Sequence, residues 1–365
     1  MLALCMAGKK RQRLSQTISS NLLNWYDHQW RNQNWRDLPW REPPKTRADP
    51  YRVWLSEVML QQTTVSTAAP YYRNFLSRWP RLSDVALAPL EDILHAWQGL
   101  GYYARARNLH ACAREVLKKY NGQFPNSEEA LRKLPGIGAY TAAAIAAIAF
   151  DQNANVIDGN VERVMSRLFL IETALPSAKS ELAKLAASLV PERRPGDYAQ
   201  ALMDLGATVC TPRRAQCQLC PIKAQCRARI DGNPERLPLR SPRRRNHPRY
   251  GIAFWLSRSD GSVLLRRRPN KGLLGGMIEV PSTPWSEEPW MLDRAVAYAP
   301  VTAYWQRLNG VVSHHFSHFT VNFELVSASI DSDSNIDGLW VSSADFTNHA
   351  LPTLTKKIIA HSSGK

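Results

Sequence analysis

Two hydrophobic periods divide the chain. Up to about residue 230, apolar residues recur at three- and four-residue spacing in the segments 109–120, 139–150 and 161–171. This spacing places apolar side chains along one face of an α-helix. The first part of the chain is therefore predicted to be mostly helical.

From residue 250 the period shortens to two. In the segment FTVNFELV (319–326), apolar and polar residues alternate, as they do on a half-buried strand. Two apolar runs on either side of Asp260-Gly261 indicate a β-hairpin, because Asp-Gly suits a tight turn between antiparallel strands. The last part of the chain is predicted to be α+β or mostly β.

Size and charge narrow the class of protein. The 365 residues suggest two domains, and 44% of them are hydrophobic, enough for buried cores. The net charge of +16 favours a polyanionic partner, with nucleic acid first. No apolar run approaches the roughly 20 residues of a membrane-spanning helix, and the N-terminal charges follow the apolar residues, unlike those of a signal peptide. We expect a cytoplasmic protein without a membrane partner.

Basic residues concentrate between residues 210 and 250. Eleven Arg or Lys against two Asp or Glu place +9 of the total charge there. The Pro- and Arg-rich RLPLRSPRRRNHPR is typical of a solvated linker and also suits a segment that follows phosphates. We expect both. The predicted organisation is an N-terminal extension (1–20), a helical domain (21–230), a basic linker (231–249) and a smaller domain (250–365).

Four of the six cysteines form a compact run with gaps of six, two and five residues. They are Cys210, Cys217, Cys220 and Cys226. Without a secretory signal, such a run is more typical of a metal site than of disulfides. Four thiolates suit zinc or an iron–sulfur cluster, although zinc ribbons usually bring two separated CxxC pairs. The cations of the run are Arg213, Arg214, Lys223, Arg227 and Arg229, and a bound metal would order this basic loop.

Two further features precede the cysteine run. Gly136 and Gly138 stand before an Ala-rich helix, where glycines permit a tight turn and the amides of the helix N-terminus can bind a phosphate. The alternative is a plain helix–turn–helix corner. Asp158 opens the helix 161–171 as an N-cap, a position that favours the ionised carboxylate. Alternatively, Asp158 only caps this helix.

Seven motifs occur in an order that is typical of one superfamily. They are RDLPWR (36–41), YRVWLSEVMLQQT (51–63), WQGLGYYARARNLH (97–110), LPGIGAYT (134–141), IDGNVERV (157–164), ALMDLGATVC (201–210) and the cysteine run. The chain resembles the helix-hairpin-helix DNA glycosylases with an iron–sulfur loop and, within them, the adenine DNA glycosylases of the MutY type. The resemblance implies a mostly α catalytic region, with a six-helix barrel and an iron–sulfur module, followed by a smaller α+β Nudix-like domain. It also implies a [4Fe-4S] cluster on the four cysteines, a monomer, and double-stranded DNA with adenine opposite 8-oxoguanine or guanine as substrate.

The resemblance assigns the chemistry to four residues. Glu57 lies among apolar neighbours, so its pKa should be raised, which suits a general acid that protonates the leaving adenine near N7. Asp158 is its ionised partner, which stabilises the oxocarbenium-like sugar and can trap it covalently, as in retaining glycosidases. Tyr140 and Asn160 support Asp158 and the attacking water, although Tyr140 alternatively only packs.

Binding residues follow from the same resemblance. The residues expected to line the adenine pocket are Arg36, Leu38, Trp40, Arg41 and Asp204. The residues expected around the opposite 8-oxoguanine are Gln62, Leu100 and Tyr102, together with the loop residues Phe316, Ser317 and His318. Alternatively, HHFSHF (314–319) is only a β-turn. No glutamate-rich metal signature follows GLLGGMIEVP, so the Nudix-like domain is expected to bind without hydrolysing pyrophosphate.

Two rival functions remain at this stage. Relatives that also cut the DNA backbone carry a lysine in the hairpin, where this chain has Tyr140, so we expect a monofunctional enzyme. A bifunctional pyrimidine glycosylase/lyase is the first rival. A lesion-binding protein without catalysis is the second, and the presence of both Glu57 and Asp158 argues against it.

Overall fold

The computed structural model describes residues 2–33, 36–242, 247–331 and 336–363, and side chains from residue 12 onwards. It divides into two compact units. Unit 1 comprises Met1–Leu87 and Asn108–Pro242, and unit 2 comprises Ala88–Arg107 and Arg243–Lys365. Within the described residues, no helix is both long and apolar enough to span a membrane.

Unit 2 takes in a segment of the N-terminal half, which differs from the predicted division of the chain. Within unit 2, the Gln98 amide donates to the carbonyl oxygen of His349 (2.7 Å), and His95 Nε2 lies 3.1 Å from the carbonyl oxygen of Thr347. These bonds explain why residues 88–107 belong with the C-terminal part. The N-terminal boundary also differs from the prediction. The predicted extension 1–20 forms one continuous helix with the residues that follow it, up to Arg31. Part of the predicted linker, residues 243–246, lies outside the described residues.

The helices dominate the chain up to residue 230. In chain order they are α1 (Leu2–Arg31), α2 (Pro50–Leu60), α3 (Val65–Arg78), α4 (Leu82–Leu87), α5 (Leu90–Ala96), α6 (Ala104–Tyr120), α7 (Glu128–Leu131), α8 (Ala139–Phe150), α9 (Gly159–Phe169), α10 (Lys179–Ala187), α11 (Pro195–Thr208), α12 (Arg227–Ile230), α13 (Leu292–Ala295) and α14 (Thr353–Ser362). Single 3₁₀ turns cover Cys217–Leu219, Pro234–Arg236, Val296–Tyr298 and Phe346–Asn348. The three helices predicted from apolar spacing are confirmed as α6, α8 and α9.

Helices α8 and α9 are held by different means. Helix α8 is Ala-rich and almost wholly buried, so it packs closely on α2 and α11. Helix α9 is amphipathic, and its residues Val161, Val164, Met165 and Leu168 lie in one hydrophobic core. That core also receives α1, α10 and α11. The first turns of α8 and α9 are where the candidate site lies.

Unit 2 is built on a mixed sheet. Its strands are β1 (Arg249–Arg258), β2 (Val263–Arg267), β3 (Ile278–Glu279), β4 (Gln306–His315), β5 (Thr320–Ile330) and β6 (Leu339–Val341). The order is β3-β2-β1-β5-β4, with β6 beside β2; β1 and β5 are parallel, and the other pairs are antiparallel. The predicted hairpin is confirmed, with Gly261 at φ +82° between β1 and β2. Val321, Phe323 and Leu325 of β5 are buried in the core that α14 also joins.

Candidate active site

One cavity of about 550 Å³ in unit 1 collects most of the predicted catalytic and adenine-pocket residues. Those that line it are Arg36, Leu38, Trp40, Arg41, Glu57, Gln62, Tyr140, Asp158 and Asn160. They come from the loop before α2, from α2 and the turn after it, and from the beginnings of α8 and α9. Residues more than 100 positions apart therefore share one solvent-accessible space.

Glu57 is a buried carboxyl in the middle of α2. The helix begins after the N-cap Asp49, whose side chain accepts from the Tyr51 amide, and it presents an almost continuous buried face. Glu57 is 7% exposed. Burial raises the pKa of Glu57 from 4.5 to about 7; the charge of Asp158 acts in the same direction, while a Tyr140 hydrogen bond and the charge of Arg41 oppose it. A carboxyl with this pKa can still carry a proton near neutral pH.

Asp158 caps α9, as its sequence position predicts. Its two oxygens accept from the Val161 amide (2.7 Å) and from the Asn160 side-chain amide (2.8 Å). The cap bonds favour the ionised carboxylate, as the sequence position predicts, but burial acts in the opposite direction. Burial raises the pKa of Asp158, and the hydrogen bonds from Val161 and Asn160 only oppose this shift. These bonds are what favour its ionised form within a buried site.

Tyr140 lies in the first turn of α8 and its hydroxyl reaches the cavity. The hydroxyl is 3.7 Å from Met203 Sδ and also hydrogen bonds with Glu57. Burial raises the pKa of Tyr140 well above its ordinary value, and the charges of Glu57 and Asp158 add to the shift. Tyr140 therefore stays a neutral hydroxyl beside the two carboxyls.

Asp204 acts through two arginines instead of lining the cavity. Arg36 Nη1 donates to Asp204 Oδ1 (2.9 Å), and Arg41 donates to both Asp204 oxygens, at 3.1 and 3.2 Å. Arg41 also donates to the Tyr26 hydroxyl (3.1 Å). This buried carboxylate holds the two guanidinium groups at the cavity wall. Asp204, which was predicted for the adenine pocket, therefore reaches this cavity only through Arg36 and Arg41.

Arg163 was missed by sequence reasoning. It is 8% exposed on α9. Its Nη2 donates to Asn160 Oδ1 (2.8 Å) and to the Gly206 carbonyl (2.6 Å), and its Nε donates to the Cys210 carbonyl (2.8 Å). A Cβ on Gly206 would stand 2.6 Å from that of Asn160, so the close approach of α11 to α9 needs glycine there. The sequence did contain a signal for a buried arginine, because Arg163 stands between the apolar Val161 and Val164 on a predicted helix.

The four predicted metal ligands line one small cavity. They share it with Arg167, whose Nη1 donates to Cys210 Sγ (3.3 Å) and to the Thr211 carbonyl (2.7 Å). In the described part of the chain, no group of three or more His, Cys, Asp or Glu side chains stands ready to hold a metal ion. A cluster distributes its thiolates over several irons, so its ligands stand farther apart than those around one ion. Four thiols around one space, beside a buried guanidinium, fit such a cluster.

The hairpin glycines differ in what they require. Gly136 has φ +73°, and a Cβ there would meet the Asn108 Cβ at 2.6 Å. Gly138, the N-cap of α8, has an ordinary φ of −84° and open space where a Cβ would lie. The turn therefore requires glycine only at position 136. The open space at Gly138 leaves room for a close approach to the start of α8.

A second group of predicted residues meets within unit 2. Leu100 and Tyr102 line one cleft of about 240 Å³ with the loop residues Phe316, Ser317 and His318. The Tyr102 and Ser317 hydroxyls hydrogen bond with each other. Gln62, which was predicted to act with them, lies in the cavity of unit 1.

Comparisons with known proteins agree with this geometry. Residues 55–192 match the HhH-GPD superfamily of base excision DNA repair proteins, and residues 252–361 match the NUDIX domain. The chain is 35% identical to the adenine DNA glycosylase of Homo sapiens over 93% of its own length and 72% of the human protein. It is 30% identical to that of Buchnera aphidicola subsp. Acyrthosiphon pisum, over 93% of this chain and 96% of the other.

The chain belongs to the adenine DNA glycosylase family. As a member, it is a DNA glycosylase of the MutY type, with a helix-hairpin-helix catalytic region and a Nudix-like domain. A solved structure of a thermostable thymine-DNA glycosylase is similar to it, at a TM-score of 0.51 and 30% identity. That similarity covers 62% of this chain and 99% of the other. The predicted fold class is thereby confirmed.

Proposed function

We propose that this DNA glycosylase removes adenine that stands opposite 8-oxoguanine or guanine, by hydrolysis of the N-glycosidic bond. One observation carries the proposal. Glu57, with a pKa near 7, and the hydrogen-bonded Asp158 line one cavity of a size suited to a flipped base. Membership of a family whose relatives are named adenine DNA glycosylases supports adenine as the base.

The two carboxyl groups take different parts in the reaction. Glu57 donates its proton to the leaving adenine near N7, which weakens the bond between base and sugar. Asp158, held by the Val161 amide and Asn160, faces the positive charge that develops on the sugar. It stabilises this charge or traps the sugar covalently until water attacks. Tyr140 and Asn160 hold Glu57 and Asp158 in these positions.

Recognition of the substrate is divided among three groups of residues. Leu38 and Trp40, with Arg36 and Arg41 on Asp204, form the wall for adenine. In unit 2, Leu100, Tyr102, Phe316, Ser317 and His318 would contact the base opposite adenine, and the paired hydroxyls of Tyr102 and Ser317 suit the added carbonyl and N–H of 8-oxoguanine. In unit 1, Gln62 lines the cavity proposed for adenine and would contact the DNA from there. The hairpin at Gly136 and Gly138 contacts a DNA phosphate through the amides of α8.

A [4Fe-4S] cluster completes the proposed enzyme. Cys210, Cys217, Cys220 and Cys226 would hold it, and Arg167 would offset the negative charge of Cys210. When bound, the cluster supplies a rigid centre for the basic loop and takes no part in the bond cleavage. The loop then offers its cations to DNA phosphates in a fixed arrangement.

Adenine release in single turnover tests the proposal. Wild type, Glu57→Gln and the exposed control Glu192→Gln are compared on A:8-oxoguanine, A:G and oxidised-pyrimidine duplexes. We expect release from the two adenine duplexes only, a loss of about 10²–10⁴-fold in Glu57→Gln, and no loss in the control. Release within about threefold of wild type in Glu57→Gln would overturn the acid assignment. Pyrimidine release with strand cleavage before alkali would favour the lyase, and binding without any release would favour the lesion-binding protein.

A further inference from the structure

The loop Gly99–Tyr102 in unit 2 has an unusual backbone. Gly99 and Gly101 have φ angles of +97° and +69°, and Tyr102 has a φ of +47°. A left-handed φ is unfavourable for a residue that carries a side chain, and Tyr102 adopts it although the residue is 39% exposed. Neighbouring groups must therefore hold the loop in this conformation.

Arg105, on α6, holds the loop from within. Its Nη2 donates to the carbonyl oxygens of Leu100 (3.0 Å) and Gly101 (3.2 Å), and its backbone amide donates to the Tyr102 carbonyl (2.8 Å). Its guanidinium carbon lies 5.6 Å from the centre of the Tyr102 ring and 5.4 Å from that of the Trp97 ring. Arg105 is 8% exposed, so these contacts are shielded from water. One planar group thus serves both the loop carbonyls and the tyrosine ring.

Gln98, which directly precedes the loop, is bonded to the C-terminal part of unit 2. Its side-chain amide donates to the His349 carbonyl (2.7 Å), and its Oε1 accepts from Lys356 Nζ (2.9 Å). Ser317 belongs to the same unit, and its hydroxyl hydrogen bonds with that of Tyr102. Gln98 therefore fixes the start of the loop relative to the residue that Tyr102 contacts at its end.

We propose that Arg105 and Gln98 are positioning residues, which hold Leu100 and Tyr102 in place for the base opposite adenine before DNA binds. This inference rests on the proposed function, because it concerns how that site distinguishes 8-oxoguanine from guanine. A hydrogen bond that discriminates between two bases depends on distance and angle. A loop that is already ordered also loses less conformational entropy when it binds. Neither Arg105 nor Gln98 has to contact the DNA for this role.

Single-turnover adenine release by the full chain tests the inference, with limiting enzyme on A:8-oxoguanine and A:G duplexes. Arg105→Lys keeps the charge but loses the planar group that contacts the loop carbonyls and the ring. Gln98→Ala removes the two bonds to the C-terminal part. We expect each variant to reduce the preference for A:8-oxoguanine by about threefold to tenfold. Arg114→Lys, the same replacement at an exposed arginine further along α6, is the matched control and should keep the wild-type preference.

A double-mutant cycle with Ser317→Ala separates positioning from a general loss of stability. If the two residues act through Tyr102 and Ser317, each variant should reduce the preference less in the Ser317→Ala background than in the wild type. Effects that multiply independently would overturn the inference. Gln98→Ala decides alone if Arg105→Lys does not fold, because Gln98 is only half-buried and uncharged.

The wild type separates this inference from the proposed function. No preference for A:8-oxoguanine in the wild type would overturn the proposed reading of the opposite base, and this inference with it. Full wild-type preference in either folded variant would overturn this inference alone.

Discussion

Replacement of Glu57 by Gln is expected to stabilise the protein at alkaline pH while it removes activity. The folded state raises the pKa of Glu57, so the folded protein binds this proton more tightly than the unfolded chain does. Below pH 4.5 both states are protonated at this group, and its contribution to stability is fully present. As the pH rises from 4.5 to 7, only the unfolded state has lost the proton, so the free energy of unfolding falls.

The size of the effect follows from the shift. The pKa moves from 4.5 to about 7. Each unit corresponds to about 1.4 kcal/mol, so the wild type should lose about 3 kcal/mol from this group between pH 4.5 and pH 7. Gln has nearly the same shape and no charge, so the variant avoids this loss. The advantage of Glu57→Gln over wild type should therefore grow by about 3 kcal/mol and level off above pH 7.

Denaturant unfolding followed by circular dichroism at pH 5, 6, 7 and 8 measures this difference directly. The control is Glu192→Gln, because Glu192 is exposed and the same charge is removed. Its difference from wild type should stay within about 0.5 kcal/mol at each pH. A difference for Glu57→Gln that does not change with pH would refute the burial argument, even if the variant were inactive.

Three further changes test other parts of the site. Tyr140→Lys places an amine beside the anomeric carbon, so borohydride should trap a protein–DNA adduct above the wild-type level; no gain would mean that position 140 does not reach the sugar. Ser317→Ala should reduce the preference for A:8-oxoguanine over A:G by about threefold to tenfold, as one hydrogen bond allows, with the chemical step intact; an unchanged preference would contradict its role. Cys220→Ser should lower iron content and DNA affinity together, whereas Cys112→Ala, at a buried cysteine outside the run, should retain the iron; a colourless wild type with bound zinc would contradict the cluster.

Features with a local signal could be predicted from the sequence. The burial of Glu57 could be predicted because its neighbours are apolar, whereas its role as an acid was implied by the family resemblance. Asp158 was identified as a cap because a polar residue precedes an amphipathic helix. The turn at Asp260 and Gly261 follows from the backbone that glycine permits. In each case the cause lies within a few residues of the feature.

Features that depend on distant partners could not be predicted. Arg163 has a local mark, because it stands between the buried Val161 and Val164, but its bonds to the carbonyls of Gly206 and Cys210 depend on residues more than 40 positions away. The place of Asp204 behind two arginines depends on residues more than 160 positions away. The raised pKa of Asp158 likewise reflects burial by the whole unit, which its cap position does not report.

The membership of residues 88–107 in unit 2 has a consequence for the order of events during synthesis. Gln98 leaves the ribosome 251 residues before its hydrogen-bond partner His349. At about 5–20 residues per second, this segment waits roughly 10–50 s before its acceptor exists. A nascent chain that ends at the basic linker therefore lacks the carbonyl groups of Thr347 and His349, to which His95 and Gln98 bond in the complete chain. In a chain truncated at residue 250, these acceptors never form. Such a fragment therefore contains residues 88–107 without most of the rest of unit 2, and it does not correspond to unit 1 alone.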